Sequence, residues 1–97
     1  MYTIAEIKAK LTPVFKEYNV KNAVLFGSYA KNTADEKSDI DICVDSGLNG
    51  LSFFGLLEDV CTSVNCQVDL IDVIDIDENS RIYNEIQKTG VVIYERA

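Results

Sequence analysis

Two aspartates, Asp39 and Asp41, are separated by one residue in a segment that alternates between polar and apolar side chains. The alternation over residues 39–45 predicts a β-strand with its apolar side chains on a buried face. Residues two apart on a strand lie on one face, about 6–7 Å apart. Their carboxylates could therefore bind one metal ion or bridge two. The ordinary alternative for a bare Asp-x-Asp pair is an amphipathic strand whose polar face is in water.

A third aspartate, Asp69, lies in the predicted strand 67–73, on a face that it shares with apolar side chains. A lone carboxylate in such surroundings is costly to keep ionised. A metal ion beside Asp39 and Asp41 would relieve that cost, because three converging carboxylates repel one another until divalent cations neutralise them. The alternative is a carboxylate at the end of the strand, at the boundary with water.

A Gly27-Ser28 pair follows the predicted strand 22–26, ten residues before the first aspartate. Glycine permits close approach of a phosphate to the backbone, and the amides and the serine hydroxyl can donate to its oxygens. Lys31 and Lys37 could offset phosphate charge, or they could be solvated loop lysines. The pair is informative because of its spacing from the aspartates, which together indicate a nucleotide-handling site.

Composition limits the chemistry that is available. The 97 residues, 47% of them hydrophobic and 26% charged, predict one domain over 1–97. The chain has no histidine, which excludes Ser–His–Asp and Cys–His catalysis and leaves acid–base work to carboxylates. Its three cysteines have no framework spacing and predict reduced thiols. No signal-peptide layout and no apolar run of about 20 residues is present, so we expect a cytoplasmic protein with no membrane association.

The net charge of −7 is unevenly distributed. Residues 1–37 have a net charge of +2, and residues 38–97 have a net charge of −9. A nucleic-acid backbone would be repelled by the second part, so stand-alone nucleic-acid binding is not expected. A nucleotide accompanied by magnesium is compatible with this charge.

The predicted element order is α-β-β-α-β-α-β, an α/β (α+β) fold with a small mixed β-sheet packed with helices. The first helix, 3–18, has a Thr3 capping box and is kinked or split by Pro13. Asp75 or Asp77 is the expected N-cap of the third helix, which runs to about Lys88. The second helix, 50–64, has an apolar stripe formed by Leu51, Phe54, Leu57, Val60 and Val64.

Three segments together resemble the minimal nucleotidyltransferases of the DNA polymerase β-like nucleotidyltransferase superfamily. The resemblance covers nearly the whole chain and implies the nucleotidyltransferase fold. Asn32 stands where the family usually has glycine, and asparagine tolerates positive φ better than most residues. The segments are Leu25-Phe26-Gly27-Ser28, Ser38-Asp39-Ile40-Asp41-Ile42 and Val68-Asp69-Leu70-Ile71.

The resemblance also implies roles for the matched residues. Gly27 and Ser28, with Lys31 nearby, would bind the phosphates of ATP. Asp39 and Asp41 would bind two Mg²⁺ ions. Asp69 would be a ligand of the ion that activates the incoming hydroxyl and could take its proton. The implied reaction is attack on the α-phosphate with loss of pyrophosphate.

The chain has no room for a separate acceptor-binding domain, so the acceptor is expected on another protein. The resemblance implies the antitoxin of a HEPN/MNT toxin–antitoxin pair, of type VII-like organisation. Such an antitoxin transfers AMP from ATP to a tyrosine of a HEPN-domain toxin within a hetero-oligomer. Two alternatives remain: an antitoxin that neutralises its partner by binding alone, and a regulator that binds ATP without turnover.

Overall fold

Four strands form one mixed sheet in the spatial order β3–β2–β1–β4. The computed structural model describes all 97 residues. β2 pairs antiparallel with β1 and parallel with β3, and β4 pairs antiparallel with β1. The strands are β1 (Asn22–Phe26), β2 (Ile40–Asp45), β3 (Val68–Asp72) and β4 (Val91–Glu95). This arrangement confirms the predicted small mixed sheet and places β3 at one edge.

Helices lie on both faces of the sheet. They are α1 (Ile4–Glu17), α2 (Gly27–Ala30), α3 (Gly50–Val64) and α4 (Arg81–Thr89), and a 3₁₀ turn covers Val73–Asp75. α1 and α3 pack against each other and supply seven of the 17 residues of the buried core. Tyr29 of α2 belongs to the same core, while α4 packs on the opposite face of the sheet, beside Cys43. None of the helices combines the length and the apolar character needed to cross a bilayer.

The core lies between the sheet and the α1–α3 layer. Ile40, Ile42 and Val44 of β2 are fully buried on that side, as the alternating pattern predicted. They pack with Phe15 of α1 and Leu56 of α3 in one cluster. Because side chains alternate along a strand, the burial of these three residues directs Asp41 and Asp45 to the other face of the sheet.

α1 begins as predicted and ends at Glu17, one residue before the predicted end. Thr3 accepts from the N–H of Glu6 at 3.1 Å, and its own N–H donates to the Glu6 carboxylate at 2.8 Å, which is a complete capping box. The helix runs through Pro13 without dividing. Pro13 is exposed, and burial of Leu11 and Val14 beside it offsets the hydrogen bond that proline removes.

The apolar stripe predicted for α3 is wrong in its first turn. Leu51 is 90% exposed and Phe54 is 60% exposed, whereas Leu56 is fully buried. The buried side of the helix is formed by Leu56, Val60 and Val64, so the early leucine and phenylalanine face solvent. Gly55 lies close to the end of α1, where an added Cβ would be 3.3 Å from the Tyr18 hydroxyl.

The N-cap predicted for α4 is also wrong. Asp75 lies in the 3₁₀ turn, Asp77 precedes the helix, and Ser80 caps it by accepting from the N–H of Tyr83 at 3.1 Å. The Asp72 carboxylate caps the 3₁₀ turn. The extra turn delays the start of α4, and the helix covers the second face of the sheet.

Candidate active site

The end of β1 and the start of β2 meet at Gly27 and Asp41. Phe26 pairs with Asp41 across the two strands, so the glycine that follows lies beside the aspartate. Gly27 has a φ of +74°, and a Cβ built there would overlap the Asp41 carboxylate. Glycine is therefore required at this position both for the backbone conformation and for the space that the carboxylate fills.

Asp41 and Asp69 occupy directly paired positions on the parallel strands β2 and β3. Burial is the main cause that raises the pKa of Asp41 to about 6, followed by the charge of Asp69 and a side-chain hydrogen bond with it. The charges of Asp39 and Glu85 contribute further to the higher pKa. The negative charge of Asp69 thus makes ionisation of Asp41 less favourable, as in other closely placed carboxylate pairs.

Asp39 lies just before β2, which begins at Ile40, and its side chain is exposed. The prediction that Asp39 is part of the strand is wrong by this one residue. Its charge still acts on Asp41, 2 residues further along the chain. No three aspartate, glutamate or cysteine side chains lie close enough together to bind one metal ion in their present conformations.

The residues present nevertheless fit divalent cations. Carboxylate oxygens are the ligands that Mg²⁺ prefers in proteins. Asp41 and Asp69 share one side of the sheet, and burial together with the charge of Asp69 raises the pKa of Asp41. A positive charge at this position would reverse that effect on the pKa of Asp41. Asp39, directly before β2, is placed to add a third oxygen ligand.

A cleft of about 480 Å³ opens beside the paired aspartates. Its walls come from the end of β1, from β3, and from one residue each of α3 and α4. Besides Asp41 and Asp69, the cleft is lined by Phe26, Leu57, Gln67, Val68, Leu70, Ile71 and Ile82. A mostly apolar cleft with two acidic groups is typical of a small-molecule or substrate site.

The loop after Ser28 has the turn that the sequence analysis expected. Asn32 has a φ of +60°, so asparagine takes the left-handed conformation in place of glycine. The loop is closed by the N–H of Thr33, which donates to the Ser28 carbonyl at 2.9 Å. Ser28 is half-buried at the start of α2, directly after Gly27.

Lys31 lies next to this turn and forms an ion pair that the sequence did not predict. Its Nζ is 3.1 Å from Oε1 of Glu85 on α4. Glu85 was missed because nothing in its local sequence distinguishes it from other helical glutamates. Lys37, the other loop lysine considered, is exposed.

Asp72 is a second acidic residue that was overlooked. It is only 6% exposed, and it accepts hydrogen bonds from the N–H and hydroxyl of Ser46 and from the N–H of Ile74. The alternation of Val68, Leu70 and Asp72 along β3 was the available signal, because it directs this carboxylate to the core side. Its partners are structural, and they connect the ends of β2 and β3.

The family model for polymerase beta nucleotidyltransferases matches residues 9–97. The chain belongs to this family. As a polymerase beta nucleotidyltransferase it is an enzyme of the transferase class. Its four-stranded sheet and helices agree with the nucleotidyltransferase fold that the sequence predicted.

Two relatives of this nucleotidyltransferase come from Methanocaldococcus jannaschii, and both are provisionally named protein adenylyltransferases. One is 39% identical over 83 residues, which cover 86% of this chain and 81% of the relative. The other is 35% identical over 96 residues, which cover 94% of this chain and 93% of the relative.

Two solved structures share the fold of this nucleotidyltransferase. A toxin–antitoxin complex with AMP-PNP has a TM-score of 0.77 at 22% identity, covering 92% of this chain and 73% of that one. A tri-AMPylated HEPN toxin in complex with an MNT antitoxin, from Shewanella oneidensis, gives a TM-score of 0.72 at 18% identity. That match covers 97% of this chain and 74% of the other.

Proposed function

We propose that this chain transfers AMP from ATP to a hydroxyl of a partner protein, with Mg²⁺ bound by Asp39, Asp41 and Asp69. The observation that carries the proposal is the Asp41–Asp69 pair, which lies on adjacent strands directly beside Gly27. The family of the chain supports nucleotidyl transfer. The names of the Methanocaldococcus jannaschii relatives support adenylyl transfer to protein.

In this proposal the first turn after β1 binds the triphosphate. The N–H groups at the start of a helix have no acceptor earlier in the helix, so they are free to donate to phosphate oxygens. Gly27 allows the phosphate to approach the backbone, and the Ser28 hydroxyl donates to it. Lys31 supplies a positive charge from the end of the same turn.

The proposed reaction is an in-line displacement at the α-phosphorus. The acceptor oxygen forms a bond to that phosphorus, the bond to the bridging oxygen of the β-phosphate breaks, and pyrophosphate leaves. Asp69, exposed on the edge strand, takes the proton of the attacking hydroxyl. When bound, two Mg²⁺ ions supply charge stabilisation for the attacking and leaving oxygens. Asp41, half-buried between Gly27 and Asp69, would hold the magnesium together with the other two aspartates.

The proposed partner is a HEPN-domain toxin, and the proposed acceptor is one of its tyrosines. The chain would then be the antitoxin of a type VII-like toxin–antitoxin system and form a hetero-oligomer with its target. The two complexes that share its fold support this partner class. The proposed setting is the cytoplasm, where ATP is available and the three free thiols stay reduced.

The test is a labelling reaction with the chain, its partner toxin, Mg²⁺ and ATP labelled in the α-phosphate. We expect label on the toxin and loss of its ribonuclease activity. Asp41→Asn combined with Asp69→Asn should abolish labelling. Asp45→Asn removes a charge from the far end of the same strand and should leave labelling unchanged, since Asp45 pairs with Asn22 away from the site.

The same experiment separates catalysis from neutralisation by contact. If the double variant still binds the toxin and silences it without labelling, the contact-only function is correct and the transferase proposal is wrong. Mass spectrometry of the labelled toxin identifies the acceptor residue. Nuclease digestion of the label gives the number of nucleotides added.

A further inference from the structure

The ion pair between Lys31 and Glu85 is the only one in the chain with nitrogen and oxygen within 4.0 Å. The chain has nine basic and sixteen acidic residues, so this single pair is a specific contact rather than one of many. It joins the turn after Ser28 to α4, which are distant in sequence. Both side chains are partly shielded, at 44% and 28% relative exposure.

Glu85 lies near the aspartates of the candidate site. Ile82, one helical turn earlier on α4, lines the cleft together with Asp41 and Asp69. Residues three apart on a helix lie on neighbouring surface positions, so Glu85 is above the same end of the sheet. Its negative charge acts on Asp41 as well as on Lys31.

We propose that Glu85 is a positioning residue that holds Lys31 in the nucleotide-free enzyme and competes with the triphosphate for it. This inference rests on the proposed function, because it assumes that the Gly27–Ser28 turn binds a nucleoside triphosphate with magnesium. In the free enzyme the Lys31 ammonium donates to the Glu85 carboxylate. When the triphosphate binds, the ammonium transfers its hydrogen bond to a phosphate oxygen.

Two physical effects make Glu85 oppose nucleotide binding. Its contact with Lys31 must be given up or shared before the lysine can bind phosphate. Its carboxylate also adds negative charge beside a site that already contains three aspartates, and this charge repels a polyanion. Removing the charge relieves both effects, so Glu85→Gln should bind the triphosphate more tightly than the unmodified chain.

The experiment is calorimetric titration with a non-hydrolysable ATP analogue and Mg²⁺, repeated with inorganic tripolyphosphate. Glu85→Gln should lower Kd by ~3-fold to ~10-fold, the size expected for a partly exposed ion pair plus the loss of one repelling charge. Glu95→Gln is the matched control. Glu95 pairs with Asn22 at the other end of β1, so its Kd should stay within ~2-fold of the unmodified value.

A double-mutant cycle assigns the effect to the pair. Lys31→Met should weaken binding, and Glu85→Gln should give a clearly smaller gain in that background because the competing contact is already absent. An equal gain in both backgrounds, or no gain for Glu85→Gln alone, overturns the inference. A general structural effect of the substitution would change both backgrounds alike.

Failure of the inference and failure of the proposed function give different results. If the cycle shows coupling but no AMP reaches the partner toxin, the proposed transfer is wrong and the role of Glu85 stands. If AMP is transferred and Glu85→Gln leaves both KM for ATP and Kd unchanged, the role of Glu85 is wrong and the transfer stands. We expect a lower KM with little change in kcat.

Discussion

The carboxylate of Asp41 fills the space that a side chain at Gly27 would occupy. The glycine that the sequence suggested for phosphate binding therefore has a second role, which is to make room for the most shielded carboxylate of the site. This relationship explains why the Gly-Ser pair and the aspartates occur together, since each depends on the other for its position.

Gly27→Ala should both destabilise the protein and stop nucleotidyl transfer. The φ of +74° should cost an alanine about 1–2 kcal/mol, and the added methyl group would displace the Asp41 carboxylate. Gly47→Ala is a close control, because Gly47 has a φ of +69° and nothing within 4 Å of the added methyl. Urea denaturation should show a loss for Gly27→Ala at least as large as that for Gly47→Ala, which has the backbone cost alone. A Gly27→Ala enzyme with full activity would contradict the assignment.

Asp41→Asn should stabilise the metal-free protein at neutral pH. Burial and the charge of Asp69 raise the pKa of Asp41 from its ordinary value to about 6 in the folded state, so the fold favours the protonated carboxyl. That stabilisation is complete below about pH 4 and is lost as the pH rises through about 6. At pH 7.5 the asparagine should therefore gain about 1 kcal/mol, a value reduced because the carboxyl is partly exposed to screening water.

The measurement is urea unfolding with a chelator present, at several values between pH 4 and pH 7.5. The difference between Asp41→Asn and the unmodified chain should grow with pH. A constant difference would show that the effect is packing rather than ionisation. Adding Mg²⁺ should stabilise the unmodified chain and should do so far less for the variant.

The rotation of α3 predicts opposite results for two neighbouring residues. Leu56→Ala should cost about 2–5 kcal/mol, because the leucine is fully buried and a cavity would remain. Phe54→Ala should change the free energy of unfolding by less than about 0.5 kcal/mol, because the phenylalanine is 60% exposed. A larger loss for Phe54→Ala than for Leu56→Ala would mean that the helix has the phase predicted from sequence.

Asp72→Ala should destabilise the protein without affecting the chemistry directly. The substitution leaves the N–H and hydroxyl of Ser46 and the N–H of Ile74 without their acceptor, which should cost about 2–3 kcal/mol. Asp75→Ala, at an exposed position in the 3₁₀ turn, is the matched control and should be nearly neutral. Thermal unfolding of the two variants makes the comparison. Equal melting temperatures would show that the Asp72 contacts contribute little to stability.

The strands and the first helix could be predicted because local patterns determine them. Alternation defined β2, and the Thr3 box defined the start of α1. The parallel pairing of Asp41 with Asp69 is not encoded locally and was not predicted. An acidic residue among apolar ones indicated only that the carboxylates converge. The roles of those aspartates in binding metal stay a prediction.

The predictions that were wrong concern positions that are determined by contacts between distant parts of the chain. Leu51 and Phe54 fit a helical stripe as well as the buried residues do, and the packing of α3 against α1 decides which side is buried. Asp75 is as good a capping residue as Ser80, but it belongs to a 3₁₀ turn that the end of β3 imposes. Glu85 becomes significant only when α4 is placed against the turn that contains Lys31.

Asp41 and Asp69 sit side by side because β2 and β3 are hydrogen-bonded in parallel, and the strand spacing of about 4.8 Å sets the distance between their backbones. The distance between the two aspartates is thus set by the backbone hydrogen bonds between β2 and β3 and does not depend on loop conformation. Substitutions throughout α1, α3 and α4 can alter stability or partner preference while this spacing persists. The surface of such a fold can therefore change while the geometry of its two paired aspartates is kept.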